Sequence, residues 1–454
     1  MVVGSIVLSF VTTAVDSSIG SKWLEDVNWL YANKPAGARA VLSTVAGSMI
    51  TVAGVTFSMT ILSISYTAGQ VGPRLLNNFM RDKSNQFTLG VFISTFMYCL
   101  MVLRTVRNAD TPPPGSSVTV AGSAELQAAF VPHVAILIGL LMAVASVGVL
   151  IFFIHHIPES IHISNIVANV GRDLNRRLEH RFPAGVGLSH SDPTEKQIEA
   201  NLPVAFYDSA KQIRSTQAGY VEYVDTQGLM RLARENDLVI RMRFRAGDFV
   251  TPRNVLMLVN PAERVNEELE KQLRQVFVCG SQRTDTQNLQ FQFNQLVEVA
   301  MRALSPGVND PFTAMNCMDW LQFALETCAV RELPDAFRYD DDGRLRIVAE
   351  PETFSAFTSL VFDQLRPYVS QDRNAAVHMM EMLAKLSITV PDNPRRRLLL
   401  RQASALRRAC KQHLSDADGL RLLTERHRTL IWLLRDTEFR QHVLRTGNWI
   451  GGRG

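Results

Sequence analysis

Three uncharged apolar runs in the first third of the chain constrain its fold more than any other feature. Residues 41–64 hold no charge, and at 1.5 Å per residue a helix of that length exceeds the roughly 30 Å thickness of bilayer hydrocarbon. Residues 87–103 and 134–154 are also uncharged, although the former run is near the lower limit for a crossing. The sequence therefore predicts three transmembrane helices.

The start of the chain is apolar as well, but its apolar run is shorter. Residues 2–15 lack the basic start and the small-residue cleavage site of a secretory signal. We interpret them as a truncated transmembrane helix. The prediction is an α-helical integral membrane domain over residues 1–154 with about four transmembrane helices.

The residues after this domain differ from it in their charge, and the cysteines of the chain indicate the compartment. Charged residues recur every few positions from residue 155 onward, yet the formal net charge of the chain is only +4, which argues against nucleic acid as a partner. Five cysteines in no metal-ligating spacing, an odd number, do not predict a disulfide framework. We therefore expect a cytoplasmic C-terminal part, a multi-pass protein of the inner (plasma) membrane, and the lipid bilayer as its surroundings.

One face of the first long apolar run is rich in hydroxyl groups and glycine. At 100° per residue, these small side chains fall together on a helix: Thr44, Gly47, Ser48, Thr51, Gly54 and Ser58. Either the face lines a hydrated path, or its small residues let helices pack closely in lipid. Thr56, Thr60 and Ser63 form a second polar cluster on another face of the same helix.

The segments that connect the apolar runs indicate how the chain is oriented in the membrane. Residues 65–86 are amphipathic and contain Arg74 and Asp82, which are either an interfacial ion pair that gates a path or simple anchors at the membrane surface. Residues 110–126 contain no lysine or arginine, as expected of an exported loop. This loop favours the orientation with a cytoplasmic C-terminal part.

The remainder of the chain predicts a soluble α+β domain in three parts. Residues 155–200 form a basic amphipathic connector, whose helix either contacts anionic lipid or packs on the soluble domain. Residues 201–262 alternate in strand-like fashion around one short helix, similar to a barrel-sandwich hybrid. No lysine lies between Lys211 and Lys271, so a lipoyl-type cofactor is not expected. Residues 263–454 are predicted to be mainly helical, with one hairpin whose turn is at Asp342 and Gly343.

A polar segment in the C-terminal part, residues 305–314, is the best candidate for a ligand or partner loop. Asp310 is placed to cap a helix that begins at Pro311, and Ser305, Asn309 and Thr313 lie nearby. Such a helix start can hold an anion, but capping alone also explains these residues. Because no catalytic, metal-binding or cofactor-binding motif occurs, we expect neither an enzyme nor a cofactor.

Two segments carry a resemblance to a known family. GPRLLNNFMRDK at residues 72–83 and LSPGVNDPFTA at residues 304–314 resemble the bacterial predicted membrane proteins classified as domain of unknown function 2254. The resemblance covers nearly the whole chain, and it implies a complete, proline-containing first transmembrane helix where this chain has only residues 2–15. It implies no substrate, reaction or site residue.

Two functions from different classes remain. In the first, copies of the chain form a homo-oligomer in which the hydroxyl-rich helix lines a channel-like or transport-related path, with the cytoplasmic part setting assembly or gating. In the second, the protein is a non-conducting scaffold or sensor that recruits an unidentified cytoplasmic partner, for which residues 305–314 are the candidate surface.

Overall fold

The computed structural model describes residues 1–19, 35–72, 83–107, 130–181, 199, 201–203, 206–331 and 335–446. The chain divides into two compact units, one ending at His162 and the other beginning at Ile163, with Gln70–Gly72 grouped with the second. Each unit has its own buried apolar clusters.

The first unit consists of apolar helices. They are α1 (Val2–Ile19), α2 (Pro35–Val71), α3 (Lys83–Thr105) and α4 (His133–Ile161). Three stretches within α2, α3 and α4 are long and apolar enough to cross a membrane, namely Pro35–Gly69, Ser84–Thr105 and His133–His156. The three predicted transmembrane helices are therefore confirmed, whereas α1 belongs to a shorter class of apolar helix.

Helix α2 is longer than the apolar run that predicted it. It contains 37 residues and so measures about 55 Å. Gly, Ala, Ser and Tyr continue the helix beyond Ile64, since nothing there removes a backbone hydrogen bond before Pro73. Hydrophobicity predicted the crossing but not the helix ends.

Hydrogen bonds between helices accompany the apolar packing of this unit. The hydroxyls of Thr12 on α1 and Tyr98 on α3 are 3.0 Å apart, and Tyr98 donates to the Ala135 carbonyl on α4 at 3.0 Å. Thr95 and Ser146 are joined in the same way, with their hydroxyl oxygens 3.0 Å apart. These buried polar pairs fix how α1, α3 and α4 face one another.

The second unit begins with α5 (Ile163–Arg181) and is a mixed α/β structure that ends in helices. Its strands are β1 (Lys211–Arg214), β2 (Gly219–Val224), β3 (Val239–Met242), β4 (Phe249–Val250), β5 (Val255–Asn260), β6 (Phe277–Gly280), β7 (Phe337–Tyr339) and β8 (Leu345–Val348). Its other helices are α6 (Thr226–Glu235), α7 (Glu267–Gln275), α8 (Leu289–Ala303), α9 (Pro311–Val330), α10 (Phe354–Val369), α11 (Arg373–Thr389), α12 (Asn393–His413), α13 (Ala417–Arg435) and α14 (Thr437–Thr446).

The strands form two small sheets. One has the order β1-β5-β3-β8-β7 and the other β4-β2-β6. The hairpin β7–β8 joins the larger sheet because β8 runs parallel to β3, with Ile240 opposite Ile347. Residues far apart in the sequence therefore complete the sheet that the central segment begins.

Helix α5 packs on the helices of its own unit. Val167, Val170, Leu174 and Leu178 on its inner face are buried. On its polar side, Arg177 forms an ion pair with Asp285 at 2.8 Å. The basic amphipathic helix predicted after the last crossing thus has its apolar face covered by protein.

Candidate functional site

The hydroxyl-rich face of α2 points away from the other helices of the first unit. Its six predicted residues, Thr44, Gly47, Ser48, Thr51, Gly54 and Ser58, are all exposed. The opposite face is buried against α3 and α4 through Leu42, Ala46 and Met49, among others. A methyl group added at Gly47 or Gly54 would meet nothing within 4 Å. Packing within the described chain therefore does not require small residues on this face.

The hydroxyl groups on this face bond to their own helix. Ser48 donates to the carbonyl of Val45 at 2.9 Å, Thr51 to that of Gly47 at 2.8 Å, and Ser58 to that of Gly54 at 2.9 Å. Each hydroxyl hydrogen is thereby satisfied, while the oxygen can still accept a hydrogen bond. Such a face can pack against another helix or contact water.

The second polar cluster of α2 borders a cavity. Thr56 and Thr60 line a space of about 180 Å³ together with Asn85, Thr88 and Phe153. Thr88 is 1% exposed, and neither its hydroxyl nor the side-chain oxygen of Asn85 has a hydrogen-bond partner within the described structure. Because an unpaired buried polar atom is costly in an apolar environment, water or a polar solute would be stabilised in this cavity.

Other predicted site residues fall where the structure gives no description. Arg74 and Asp82 both lie outside the described residues, as does the lysine-free and arginine-free segment 110–126.

The segment 305–314 is brought together by local hydrogen bonds at the start of α9. The Asp310 carboxylate accepts from the Thr313 backbone N–H at 3.1 Å and from the Thr313 hydroxyl at 2.6 Å. Ser305 donates to the carbonyl of Arg302 at 2.6 Å, and Asn309 adopts a left-handed backbone with φ of 50°. The polar groups of this segment therefore serve the turn and the helix cap.

The thiol beneath this segment is not an activated nucleophile. Cys317 is fully buried in α9, and burial, with a further contribution from the Asp310 and Asp319 carboxylates, raises the pKa of its thiol. A protonated, inaccessible thiol does not attack substrates. By contrast, the apolar side chains of Val308 and Phe312 are exposed, Phe312 to 72%.

Sequence reasoning missed one carboxylate that organises the first unit. Asp16, near the end of α1, accepts hydrogen bonds from the backbone N–H groups of Val134 and Ala135, both at 2.9 Å. Helix α4 begins after Pro132, which supplies no side-chain cap. The only hint in the sequence is a carboxylate at the end of an apolar segment.

Metal ligands do not converge in the part of the chain that the structure describes. No group of three or more His, Cys, Asp or Glu side chains there is placed to hold a metal ion.

Comparison with known proteins places the chain in a family. The family described as "Predicted membrane protein (DUF2254)" matches residues 1–385. An uncharacterized protein of Mycobacterium bovis is 29% identical over 392 residues, covering 85% of this chain and 71% of the relative. Two uncharacterized proteins of Mycobacterium tuberculosis strains match to the same extent. No solved structure matches the chain. With its membrane helices and a family match over most of its length, the chain belongs to the DUF2254 family of predicted membrane proteins.

Proposed function

We propose that this protein acts as a homo-oligomer in a channel-like or transport-related role, without enzymatic activity. In this proposal the hydroxyl-rich face of α2 contacts other copies or lines a path between them. The second unit sets the geometry of the assembly or its gating. We further propose that α1 is a fourth crossing. The sheet region would act as an assembly element, because its strand pattern is similar to that of barrel-sandwich hybrids.

The observation that carries the proposal is the exposure of the glycine- and hydroxyl-rich face of α2. Small residues gain little from contact with lipid, whereas they allow a second helix to approach closely and hydroxyls to bond across the contact. Packing within the described part of the chain needs neither Gly47 nor Gly54. A neighbouring copy or water therefore explains the composition of the face better than lipid does.

The polar cavity beside Thr88 is a second support. Its unpaired oxygens lie at the start of α3, among residues of candidate membrane spans. Polar groups at such positions are costly and mark hydrated or substrate-accessible sites. We therefore expect this cavity to hold water or a polar solute.

The experiment is single-channel recording of the purified full-length protein in planar bilayers. Ser48→Leu and Thr51→Leu are expected to abolish or reduce conductance, because they replace hydroxyls on the exposed face by larger apolar groups. Ile50→Leu is the matched control, since Ile50 is exposed on the same helix outside that face. The pore proposal would be contradicted if no conductance appeared under voltage or membrane tension and both variants behaved as the unmodified protein does.

The proposed location is the inner (plasma) membrane with the second unit in the cytoplasm. Cys279, Cys317, Cys328 and Cys410 in this unit are free thiols, which suits a reducing compartment. A green fluorescent protein fused after the C-terminus should fluoresce, and an alkaline phosphatase fusion at the same position should be inactive. The reverse pattern would place the C-terminal part outside.

A second candidate function is that of a non-conducting scaffold or sensor. The exposed side chains of Val308 and Phe312 beside the cap of α9 favour it, since exposed apolar groups at a rigid turn suit a protein contact. Crosslinking in the native membrane should then capture a second protein, and Phe312→Ser should reduce its yield. Capture of self-contacts alone would contradict partner recruitment.

A further inference from the structure

A cavity with both apolar and charged walls lies beside α6 in the second unit. It has a volume of about 550 Å³ and borders α6, the end of β3 and the segment after β8. Val224, Leu229 and Ile347 in its wall belong to the buried core of the sheet region, and Met230 and Met242 pack against that core. Its volume lies within the roughly 300–1,000 Å³ of small-molecule sites.

Four arginines also line this cavity: Arg231, Arg234, Arg245 and Arg338. Arg234 is paired with Asp341 at 3.1 Å, and Arg338 donates to the carbonyl of Phe337 at 3.0 Å. Across the described residues, the guanidinium groups of Arg231 and Arg245 form neither a hydrogen bond nor an ion pair with protein. Two forked cationic donors are therefore available at the edge of an apolar space.

We propose that this cavity binds a small organic anion with an apolar body and a single phosphate or carboxylate end. The guanidinium fork matches both anions in a bidentate manner, while the methionine and aliphatic wall accommodates the apolar body. Glu350 and Glu352 also line the cavity. Their negative charge disfavours a ligand that carries anionic groups at both ends.

The test measures the binding of three probes to the full-length protein in lipid nanodiscs by titration calorimetry. 1-Naphthyl phosphate and 1-naphthoate each combine a flat apolar body with one anionic end, and inorganic phosphate lacks the body. At least one naphthyl probe should bind saturably, with one site per chain and at least tenfold more tightly than inorganic phosphate. The two naphthyl probes distinguish a phosphate from a carboxylate ligand.

Substitutions in the cavity wall test whether the probes bind in this cavity. The double variant Arg231→Gln/Arg245→Gln should weaken binding at least tenfold, because both free guanidinium groups are lost. Arg243→Gln is the matched control, since Arg243 is exposed just beyond β3 and does not line the cavity. Ala246→Trp fills the cavity from its wall without changing any charge and should abolish binding.

The outcomes are decisive in either direction. The proposal fails if neither naphthyl probe binds beyond the partitioning seen with empty nanodiscs. It also fails if inorganic phosphate binds equally well, or if both the arginine and the Ala246→Trp variants bind as the unmodified protein does. If the double variant fails to fold, Ala246→Trp and the probe comparison still decide the question.

Discussion

At the scale of single residues, Gly171 lies where α5 passes the side chain of Trp320 on α9. A Cβ atom at this position would be 2.4 Å from two carbons of the indole ring. Glycine therefore permits an approach that any other residue would prevent. The amphipathic pattern of α5 predicted its buried face, but no local feature identified Gly171 as the point of closest approach.

We expect Gly171→Ala to destabilise the second unit by about 1 kcal/mol, since overpacking costs of about 1–3 kcal/mol outweigh the gain of about 1 kcal/mol in helix propensity. The midpoint of thermal unfolding of the purified protein measures the effect, at about 2–4 °C per kcal/mol. Gly307→Ala is the control, because nothing lies within 4 Å of its added methyl group. A rise in the midpoint for Gly171→Ala would contradict the packing argument.

A second feature at this scale is the ion cluster around Arg346. This side chain is only 5% exposed and binds the carboxylates of Asp237 and Asp340, each at 2.7 Å. Hydrogen bonds from Arg346 and Arg264 lower the pKa of Asp237 to about 2. Asp340 lies beside the predicted hairpin turn, but its pairing with Arg346 was not predicted, because the two side chains are recognisable as partners only once β8 is paired.

Asp237→Asn should lower the thermal midpoint at neutral pH, and this difference should shrink as the pH falls below 4. The folded-state pKa of about 2 lies below the unfolded value of about 3.9. The carboxylate therefore stabilises the fold above pH 4, and this contribution is lost between about pH 4 and pH 2. Asn tolerates the left-handed backbone at this position, where φ is 48°.

Thermal midpoints measured from pH 7 down to pH 3 check this prediction. Asp341→Asn is the control, since Asp341 is 93% exposed and its pairing with Arg234 contributes little. A difference between Asp237→Asn and the unmodified protein that stays constant over this range would contradict it.

At the scale of elements, local sequence patterns found individual helices and strands but not their long-range pairing. Alternation of apolar residues predicted β3, and the Asp342–Gly343 pair predicted the β7–β8 hairpin, whose turn has Gly343 at φ of 73°. The parallel pairing of β3 with β8 has no local pattern, since it joins Ile240 to Ile347. The short strand β6 was missed for the same reason, because its pairing with β2 defines it.

The same contrast between single elements and contacts between elements holds for the candidate site. Helical periodicity grouped the six residues of the α2 face correctly, because they belong to one element. The cavity beside Thr88 required two further elements, α3 and α4, to be placed next to Thr56. Contacts between elements, rather than residue types, thus limit what the sequence alone predicts.

Asp16→Ala tests one such contact between elements. Removal of the carboxylate leaves the N–H groups of Val134 and Ala135 without this acceptor, and loss of a cap costs about 0.5–2 kcal/mol. We expect a lower thermal midpoint in detergent. Ser17→Ala is the matched control, since among the described residues its exposed hydroxyl bonds only to the Ala14 carbonyl of its own helix. Equal midpoints for the two variants would mean that Asp16 contributes no stability.

At the scale of the whole molecule, the two units contain separate apolar cores. The core of the second unit includes the sheet region and a helical part in which Phe293 stacks on Phe357, with ring centroids 4.8 Å apart. A unit with its own core can fold alone. We therefore expect residues 163–454, expressed without the membrane helices, to be soluble, helix-rich by circular dichroism and cooperative in thermal unfolding. Aggregation of this fragment, or a broad non-cooperative transition, would show that the second unit depends on the membrane helices for its fold.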